Sequence, residues 1–596
     1  MEPTRTTDPE YYHRVVDCQH ACPAHTPVPE YIRLIADGRY SDAYMINWES
    51  NVFPGVLGRT CDRPCEPACR RGRLDEEEEP VAICRLKRVA ADNKQDIAAR
   101  LPVIPKRKNG KRIALIGAGP ASLTVARDLL PLGYDIALFD EQGIAGGMMR
   151  SQIPSFRLPA SVLDEEIAFV LRDQVEQRFG KRVESMKAVL QENFDAVFIG
   201  TGAPKGKVLT LPGLEEAGAN VHIGVNWLSS VAFEHIEKIG RRVLVLGGGN
   251  TAMDCCRTAR RMGGKDVKVV VRSPRENMKA SPWEIEDAIH EGIPIINNHV
   301  PLRFITENGK LTGMEFEKVE ARFDADGRRE LVPTGEPAVV FECDDVLVAI
   351  GQENSFPWIE RDTGIEFDKW GMLVVDKTTF ATTHKKVFTA GDAAFGPENI
   401  ITAVAQAHQA AISIDAFCQG RAIAERPKPG VTLVSQKMGV HEWSYSSPIS
   451  DDERRTMPLI ATDKALADRK VEVELGFDAK LALDEAQRCL NCDVQTVFSE
   501  KLCIECDACV DICPTDCLTM TTNAPEPELR AKLTMPAHNT DQPVYVSDNL
   551  ATGRVMVKDE NLCLHCGLCA ERCPTAAWDM QKFLYEVAQA GKPCRQ

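Results

Sequence analysis

Lys111-Arg-Ile-Ala-Leu-Ile-Gly117-Ala-Gly119-Pro120-Ala-Ser122 is a short apolar run that passes through a glycine-rich turn into helix-compatible sequence. An apolar run of this length bounded by glycine reads as a buried strand. A helix beginning near Ala121 completes the start of a Rossmann-type unit. Gly117 permits the tight turn, and Gly119 lets the backbone approach a pyrophosphate whose charge meets the helix N-terminus. Ser122 holds the third glycine position, which tolerates a small residue. The next strand, Asp135-Ile-Ala-Leu-Phe-Asp140, ends in an acid about 20 residues on, placed to bind ribose hydroxyls. Asp140 favours an adenosine without a 2′-phosphate.

A second such start lies at Arg241-Arg-Val-Leu-Val-Leu-Gly247-Gly-Gly249-Asn250-Thr251-Ala252. Its next strand, Val267 to Val271, ends at Arg272 rather than an acid, and Arg275 follows. Guanidinium groups pair bidentately with a 2′-phosphate that a carboxylate would repel. NADPH is therefore expected there in preference to NADH, with solvated loop cations as the plainer reading of both arginines. Asp195-Ala-Val-Phe-Ile-Gly-Thr201-Gly202 and Asp345-Val-Leu-Val-Ala-Ile-Gly351-Gln352 look like crossover strands bracketing this inserted domain. Further on, Thr389-Ala-Gly391-Asp392-Ala393-Ala394 follows the strand at Lys386-Val-Phe and precedes an apolar helix, Ile400 to Ala411. Alone it reads as an ordinary turn. Paired with the first motif it resembles the second flavin-binding motif of two-dinucleotide-domain flavoproteins. That resemblance implies FAD on Gly117, Gly119, Pro120, Asp140, Gly147, Gly391 and Asp392, with the nicotinamide cofactor on Gly247, Gly249, Asn250, Thr251, Arg272 and Arg275. Hydride transfer is cofactor chemistry, so no acid-base catalytic residue is required. Glu284 and Glu286 are read as exposed helix residues.

The cysteines carry the other half of the chemistry. Cys503-x2-Cys506-x2-Cys509-x3-Cys513-Pro514 is repeated as Cys563-x2-Cys566-x2-Cys569-x3-Cys573-Pro574. Three closely spaced thiolates wrap one 4Fe-4S cube, and the fourth, before proline, reaches to the other. One set is thus Cys503, Cys506, Cys509 and Cys573; its neighbour is Cys563, Cys566, Cys569 and Cys513. Zinc or disulfide frameworks rarely repeat this spacing with proline after both fourth positions. The region resembles bacterial-type ferredoxins, apart from a long connector between the runs, and implies one-electron carriage.

Near the start, Cys18-x3-Cys22-Pro23 is followed by Cys61-x3-Cys65-x3-Cys69 and by Cys84. Val28, Tyr31, Ile32 and Ile35 share a helical face between them, read as core rather than cofactor contact. Gly58-Arg-Thr-Cys61, Cys65-Glu-Pro-Ala-Cys69-Arg-Arg-Gly72, Leu86-Lys-Arg88, Gly117-Ala-Gly-Pro120, Gly146-Gly-Met148, Ile153-Pro, Arg157-Leu-Pro159 and Gly247-Gly-Gly-Asn-Thr-Ala252 resemble the glutamate synthase small-subunit family. That family includes flavin subunits of ferredoxin:NADP oxidoreductases and the electron-input half of dihydropyrimidine dehydrogenases. It usually carries two 4Fe-4S clusters on an N-terminal helical domain. Its Arg-Cys-Leu-x-Cys element is absent ahead of Cys18, but Glu485-Ala-Gln-Arg-Cys489-Leu-Asn-Cys492 has that character. The resemblance implies that this segment returns to complete the set, so that two cubes use Cys18, Cys22, Cys61, Cys65, Cys69, Cys84, Cys489 and Cys492. The alternatives are a single N-terminal cube, or Cys84 as a buried apolar thiol. Cys255, Cys256, Cys343, Cys418, Cys517 and Cys594 are read as structural or incidental.

Composition bounds the whole. A chain of 596 residues exceeds one core. The expected architecture is α/β, two nested Rossmann-like dinucleotide-binding domains, with an N-terminal α-helical iron-sulfur domain and a C-terminal α+β ferredoxin domain. The boundaries are 1–108 helical, 109–205 with 345–425 for FAD, 206–344 for NAD(P)H, 426–495 linker and 496–596 ferredoxin. Twenty-two cysteines suit metal ligation in a reducing compartment, and the polar stretch after Met1 gives an expectation of cytoplasmic residence. A net charge of −16 argues against nucleic acid, and no run of 18 or more apolar residues suits membrane insertion. The acidic run Asp75 to Glu79 reads as a solvated loop. Together these parts imply an NAD(P)H-linked flavin and iron-sulfur oxidoreductase subunit, serving ferredoxin or a larger redox-enzyme subunit in a hetero-oligomer. A glutamate synthase small subunit and a non-catalytic redox sensor or scaffold are the rivals.

Overall fold

The computed structural model describes residues 1–73, 79–323, 329–436, 450–535 and 540–591. Cys594 and residues 75–78 of the acidic run lie outside them. The chain forms two compact units: Met1–Arg100, Glu425–Met457 and Gly476–Gln596 make one, and Leu101–Ala424 with Pro458–Leu475 the other.

In the second unit, two parallel five-stranded sheets repeat one design. The first runs Val387–Thr389, Ala196–Ile199, Arg112–Ile116, Asp135–Asp140, Glu176–Phe179. The second runs Val221–Ile223, Asp345–Val348, Arg242–Leu246, Asp266–Val270, Ile295–Ile296. Buried on both faces, the central strands need continuous apolar sequence, which Ile113 to Ile116 and Val243 to Leu246 provide. Lys205–Gly206 pairs antiparallel with Gln352–Glu353, a two-stranded ribbon at the expected crossovers.

Helix Pro282–His290 corrects one expectation. Glu284 is only 3% exposed, because Arg157 and Arg257 both bond it. Arg157 also bonds Asp254 at 2.7 Å, and Arg257 bonds Glu291 at 2.8 Å. A carboxylate can be buried here because opposed guanidinium groups surround it. Glu286 is exposed, as expected.

In the first unit, helices Val28–Ala36, Tyr40–Asn51, Pro54–Thr60 and Ile83–Asn93 form the N-terminal part. Two three-stranded antiparallel sheets accompany the ferredoxin runs: Leu518–Thr522, Arg554–Lys558, Tyr545–Val546, and Gly430–Ser435, Trp578–Glu586, Val494–Phe498. Described parts of the stretch read as a linker over 426–495 are therefore structured. Gly430–Ser435 is a ferredoxin-sheet strand, Ala479–Ala486 is a helix of the first unit, and 458–475 belongs to the second. Among the described residues, no helix is long and apolar enough to cross a membrane.

Candidate flavin, nicotinamide and iron-sulfur sites

The two glycine turns have the same anatomy. A Cβ on Gly117, at φ +92°, would stand 2.5 Å from the Gly200 carbonyl oxygen, whereas at Gly119 the nearest atom is 4.0 Å away. A Cβ on Gly247, at φ +138°, would meet the Ala349 carbonyl oxygen at 2.1 Å, and Gly249 faces open space. The first glycine of each pair is thus closed by its own fold, and the second leaves a cradle that suits a pyrophosphate. Pro120 opens helix Pro120–Leu129 with Gly119 as its N-cap. Gly147 lies against Gly119, its would-be Cβ 2.7 Å from the Gly119 Cα.

A cleft of about 680 Å³ is lined by Gly117, Asp140, Gly147 and Thr201, with Trp358 and Asn226 also on its wall. The Asp140 carboxylate accepts from the Ala118 and Gln142 backbones at 2.7 and 2.8 Å. Gly391 and Asp392 are outside the lining, at the end of the adjoining strand. The would-be Cβ of Gly391 is 3.5 Å from the Ala121 Cβ, which brings the second flavin motif onto the first. Burial pushes the Asp392 carboxyl up to about 6. If its carboxylate accepts a hydroxyl of bound FAD, one acceptor is lost on protonation. Flavin release, followed by fluorescence, is expected to grow as pH falls through about 6, and Asp392→Asn to flatten that dependence.

In the inserted domain, Asn250 is turned to the neighbouring helix: its Oδ1 accepts from the Ser281 backbone at 2.8 Å. Thr251 lies in the first turn of Asn250–Arg261. Arg272 and Arg275 are exposed, and neither meets a carboxylate among the described residues.

The sixteen grouped cysteines fall into four sets. Cys18 is bordered by Cys69, Cys489 and Cys492 in one small cavity, where Val28 and Ile32 also line the wall. That apolar helical face is therefore core and site wall at once, a correction to its reading as core alone. Cys61 and Cys65 are hydrogen-bonded to Cys84, and Cys22 adjoins them around Lys87. Burial works against the Lys87 charge, but the Cys84, Cys61 and Cys65 sulfurs outweigh it and hold its pKa above the lysine range. A buried cation beside four thiols suits an anionic cluster. In the ferredoxin domain, Cys503 neighbours Cys506 and Cys573, and Cys509 neighbours Cys573, while Cys566 neighbours Cys563 and Cys513, and Cys569 neighbours Cys563 and Cys566. Cys517, read as incidental, lies with its sulfur 3.5 Å from Cys513 and is hydrogen-bonded to Cys563.

Local sequence explains the N-terminal convergence. A Cβ on Gly58 would lie 2.7 Å from the Arg88 Cα. Helices Pro54–Thr60 and Ile83–Asn93 therefore touch through backbone, which delivers Cys61 to Cys84. Glu485, fully buried, accepts from the Ala82 backbone at 2.7 Å and from Arg488 at 3.0 Å. Arg488 also donates to the Glu79 carbonyl at 2.7 Å. This pair pins the Cys489–Cys492 segment beside the stretch leading to Cys84. Sequence reading quoted these residues only as family motifs and missed the Gly58 helix contact and the Glu485–Arg488 clamp. Their signals were a glycine inside a short helix and opposite charges three residues apart.

A flavin and nicotinamide oxidoreductase core carrying iron-sulfur domains is the class these features define. Comparison with known proteins agrees. Residues 111–407 match the pyridine nucleotide-disulphide oxidoreductase family, residues 13–98 the dihydropyrimidine dehydrogenase domain II 4Fe-4S family, and residues 502–577 the 4Fe-4S dicluster family. The chain is 34% identical over 503 residues to the NADP(+)-dependent formate dehydrogenase subunit beta of Moorella thermoacetica, covering 80% of this chain and 70% of that one. It is 31% identical to the NADPH-Fe(3+) oxidoreductase subunit beta of Geobacter sulfurreducens, covering 81% and 77%. It is 30% identical to the glutamate synthase [NADPH] small chain of Escherichia coli, covering 67% and 87%. The chain belongs to the glutamate synthase small-subunit-like family of NAD(P)H flavin oxidoreductases, extended by a ferredoxin domain. It is an NAD(P)H-dependent FAD and iron-sulfur oxidoreductase, with FAD, NADPH and 4Fe-4S clusters as its cofactors.

Proposed function

We propose that this chain is the nicotinamide-handling subunit of a larger redox enzyme, converting between the electron pair of NADPH and single electrons exchanged with a partner subunit or ferredoxin. The observation that carries this reading is the gathering of all sixteen grouped cysteines into the first compact unit. When bound, flavin takes the hydride as a pair and the cubes pass electrons singly. The chain's own residues hold and separate these carriers. Gly119 and Gly147 leave room for one pyrophosphate and Gly249 for the other. Arg272 and Arg275 offer free cations to a 2′-phosphate, and the four thiol sets supply cluster ligands. A glutamate synthase small chain would leave the C-terminal ferredoxin without a task.

The experiment is NADPH-driven reduction of a one-electron dye by protein holding its full flavin and iron. Activity is expected, and its absence with either nicotinamide would sink the reading. In the same assay, replacing Arg272 and Arg275 by alanine is expected to raise the KM for NADPH roughly ten- to hundredfold, the loss of one or two charge-assisted bonds. The KM for NADH should move little.

A further inference from the structure

Arg70 follows Cys69 directly and stands with Asp17, Cys18, Cys489 and Cys492 around the first N-terminal thiol set. Its guanidinium adjoins Cys492 of that set and also reaches the ferredoxin domain. Nη1 donates to the carbonyls of Glu560 and Cys563, at 2.6 and 2.9 Å, and faces Nε2 of His565 at 3.0 Å. Nη2 donates to the Val15 carbonyl at 3.0 Å, and Nη2 and Nε share Asp17 Oδ2 at 3.0 and 3.2 Å. Every N–H of the fork therefore has an acceptor, in a side chain that is 2% exposed. Asp17 precedes Cys18 as Arg70 follows Cys69. One buried ion pair thus ties two ligand-bearing turns of one thiol set to the main chain of Cys563, in another.

Glu560, Cys563 and His565 also bring ligand atoms within 4.8 Å of one another, as a separate metal site would. The surroundings oppose that use. Arg70 faces His565 Nε2, the Lys558 ammonium lies 2.7 Å from Glu560, and Cys563 belongs to a ferredoxin run. This pocket is built to receive the Arg70 cation.

We propose that Arg70 is a positioning residue that docks the Cys18/Cys69/Cys489/Cys492 site against the Cys563/Cys566/Cys569/Cys513 site, so that four cluster sites stand in single file. The proposal rests on the ligand sets given above. The other two junctions in the file are short chain links. Cys18 and Cys22 are four positions apart along the chain, as are Cys65 and Cys69, and buried Tyr31 adjoins Cys65, Cys84, Cys18 and Cys22. These join the Cys22/Cys61/Cys65/Cys84 site to its neighbour. At the other end, Cys513 and Cys573 each cross between the ferredoxin runs, and Cys569 adjoins Cys509. Arg70 supplies the middle junction, and the Cys503/Cys506/Cys509/Cys573 site ends the file, with Cys506 exposed.

The order is testable by electron paramagnetic resonance of the dithionite-reduced full chain, because adjacent reduced cubes broaden and relax one another. Cys506 and Cys566 are both exposed, so serine at either strips one ferredoxin site at its surface ligand. Loss of the Cys566 site is expected to narrow the N-terminal signals, whereas loss of the Cys506 site should leave them broadened. Arg70→Met is expected to keep about 16 iron atoms, four per cube, and to weaken the broadening. Arg70→Lys, which keeps the charge without the fork, should fall between. N-terminal signals that ignore the Cys566 site, or that respond equally to both, would overturn the order. Native broadening in iron-replete Arg70→Met would overturn the role of Arg70. A wild-type count below about 16 iron atoms would instead fault the ligand sets, leaving the two failures distinguishable.

Discussion

Replacing Cys489 and Cys492 together by serine is expected to lower the iron content from about 16 to about 12 atoms per chain, one cube's worth, while FAD content stays at the wild-type level. Among the described cysteines only Cys18 and Cys69 share a cavity with these two thiols, so one site is emptied and three are untouched. Glu485 and Arg488 would still hold the returning segment through Ala82 and Glu79, which keeps the fold around the vacated site. Dye reduction taken directly from the flavin should persist, and delivery to an acceptor at the ferredoxin domain should fail. Iron and flavin analysis on the same preparation decides it. An unchanged iron count would remove these two cysteines from the ligand set.

The second large effect separates two glycines two positions apart. Gly117→Ala is expected to destabilise the protein even without FAD, by about 2 to 4 kcal/mol, since it combines a left-handed backbone position with overpacking. The alanine methyl would lie 2.5 Å from the Gly200 carbonyl oxygen, and both partners are backbone, so neither yields cheaply. Gly119→Ala has no such conflict, with its nearest atom at 4.0 Å. Its stability should stay within about 0.5 kcal/mol of wild type, yet its methyl would occupy the pyrophosphate cradle and FAD content should drop sharply. Thermal unfolding of flavin-free protein, beside flavin content as purified, reads the two effects apart. Equal destabilisation by both would contradict the division of labour between the glycines.

How far the sequence was legible depended on the range of the interactions involved. The nested sheets were readable because strand, turn and helix of each nucleotide motif lie within a few residues, and the glycines carry their backbone demands locally. The ferredoxin runs were readable for the same reason. Glu284 was misread because its burial depends on Arg157 and Arg257, partners 127 and 27 residues away that no local pattern announces. The 426–495 stretch was misread because its strand pairs with Trp578–Glu586, far along the chain. The Val28–Ile32 face was read correctly as apolar but assigned one role, although a cluster pocket needs apolar walls as much as a core does. The return of Cys489 and Cys492 to the N-terminal cysteines came from family resemblance, and their grouping with Cys18 and Cys69 came from the structure. Its physical cause, the Glu485–Arg488 clamp, emerged only from the structure.

The division of the chain between the two units sets a timetable for synthesis. Cys22, Cys61, Cys65 and Cys84 leave the ribosome within one short interval, so their site has all its thiols early. The site holding Cys18 and Cys69 must wait for Cys489 and Cys492, with the whole of Leu101–Ala424 made in between. At about 5 to 20 residues per second, that delay is roughly 20 to 80 s. The nascent chain therefore carries a half-built thiol pocket through the entire production of its flavin unit. The iron-loading machinery meets a chain whose nucleotide-binding half is already complete before that cube can close.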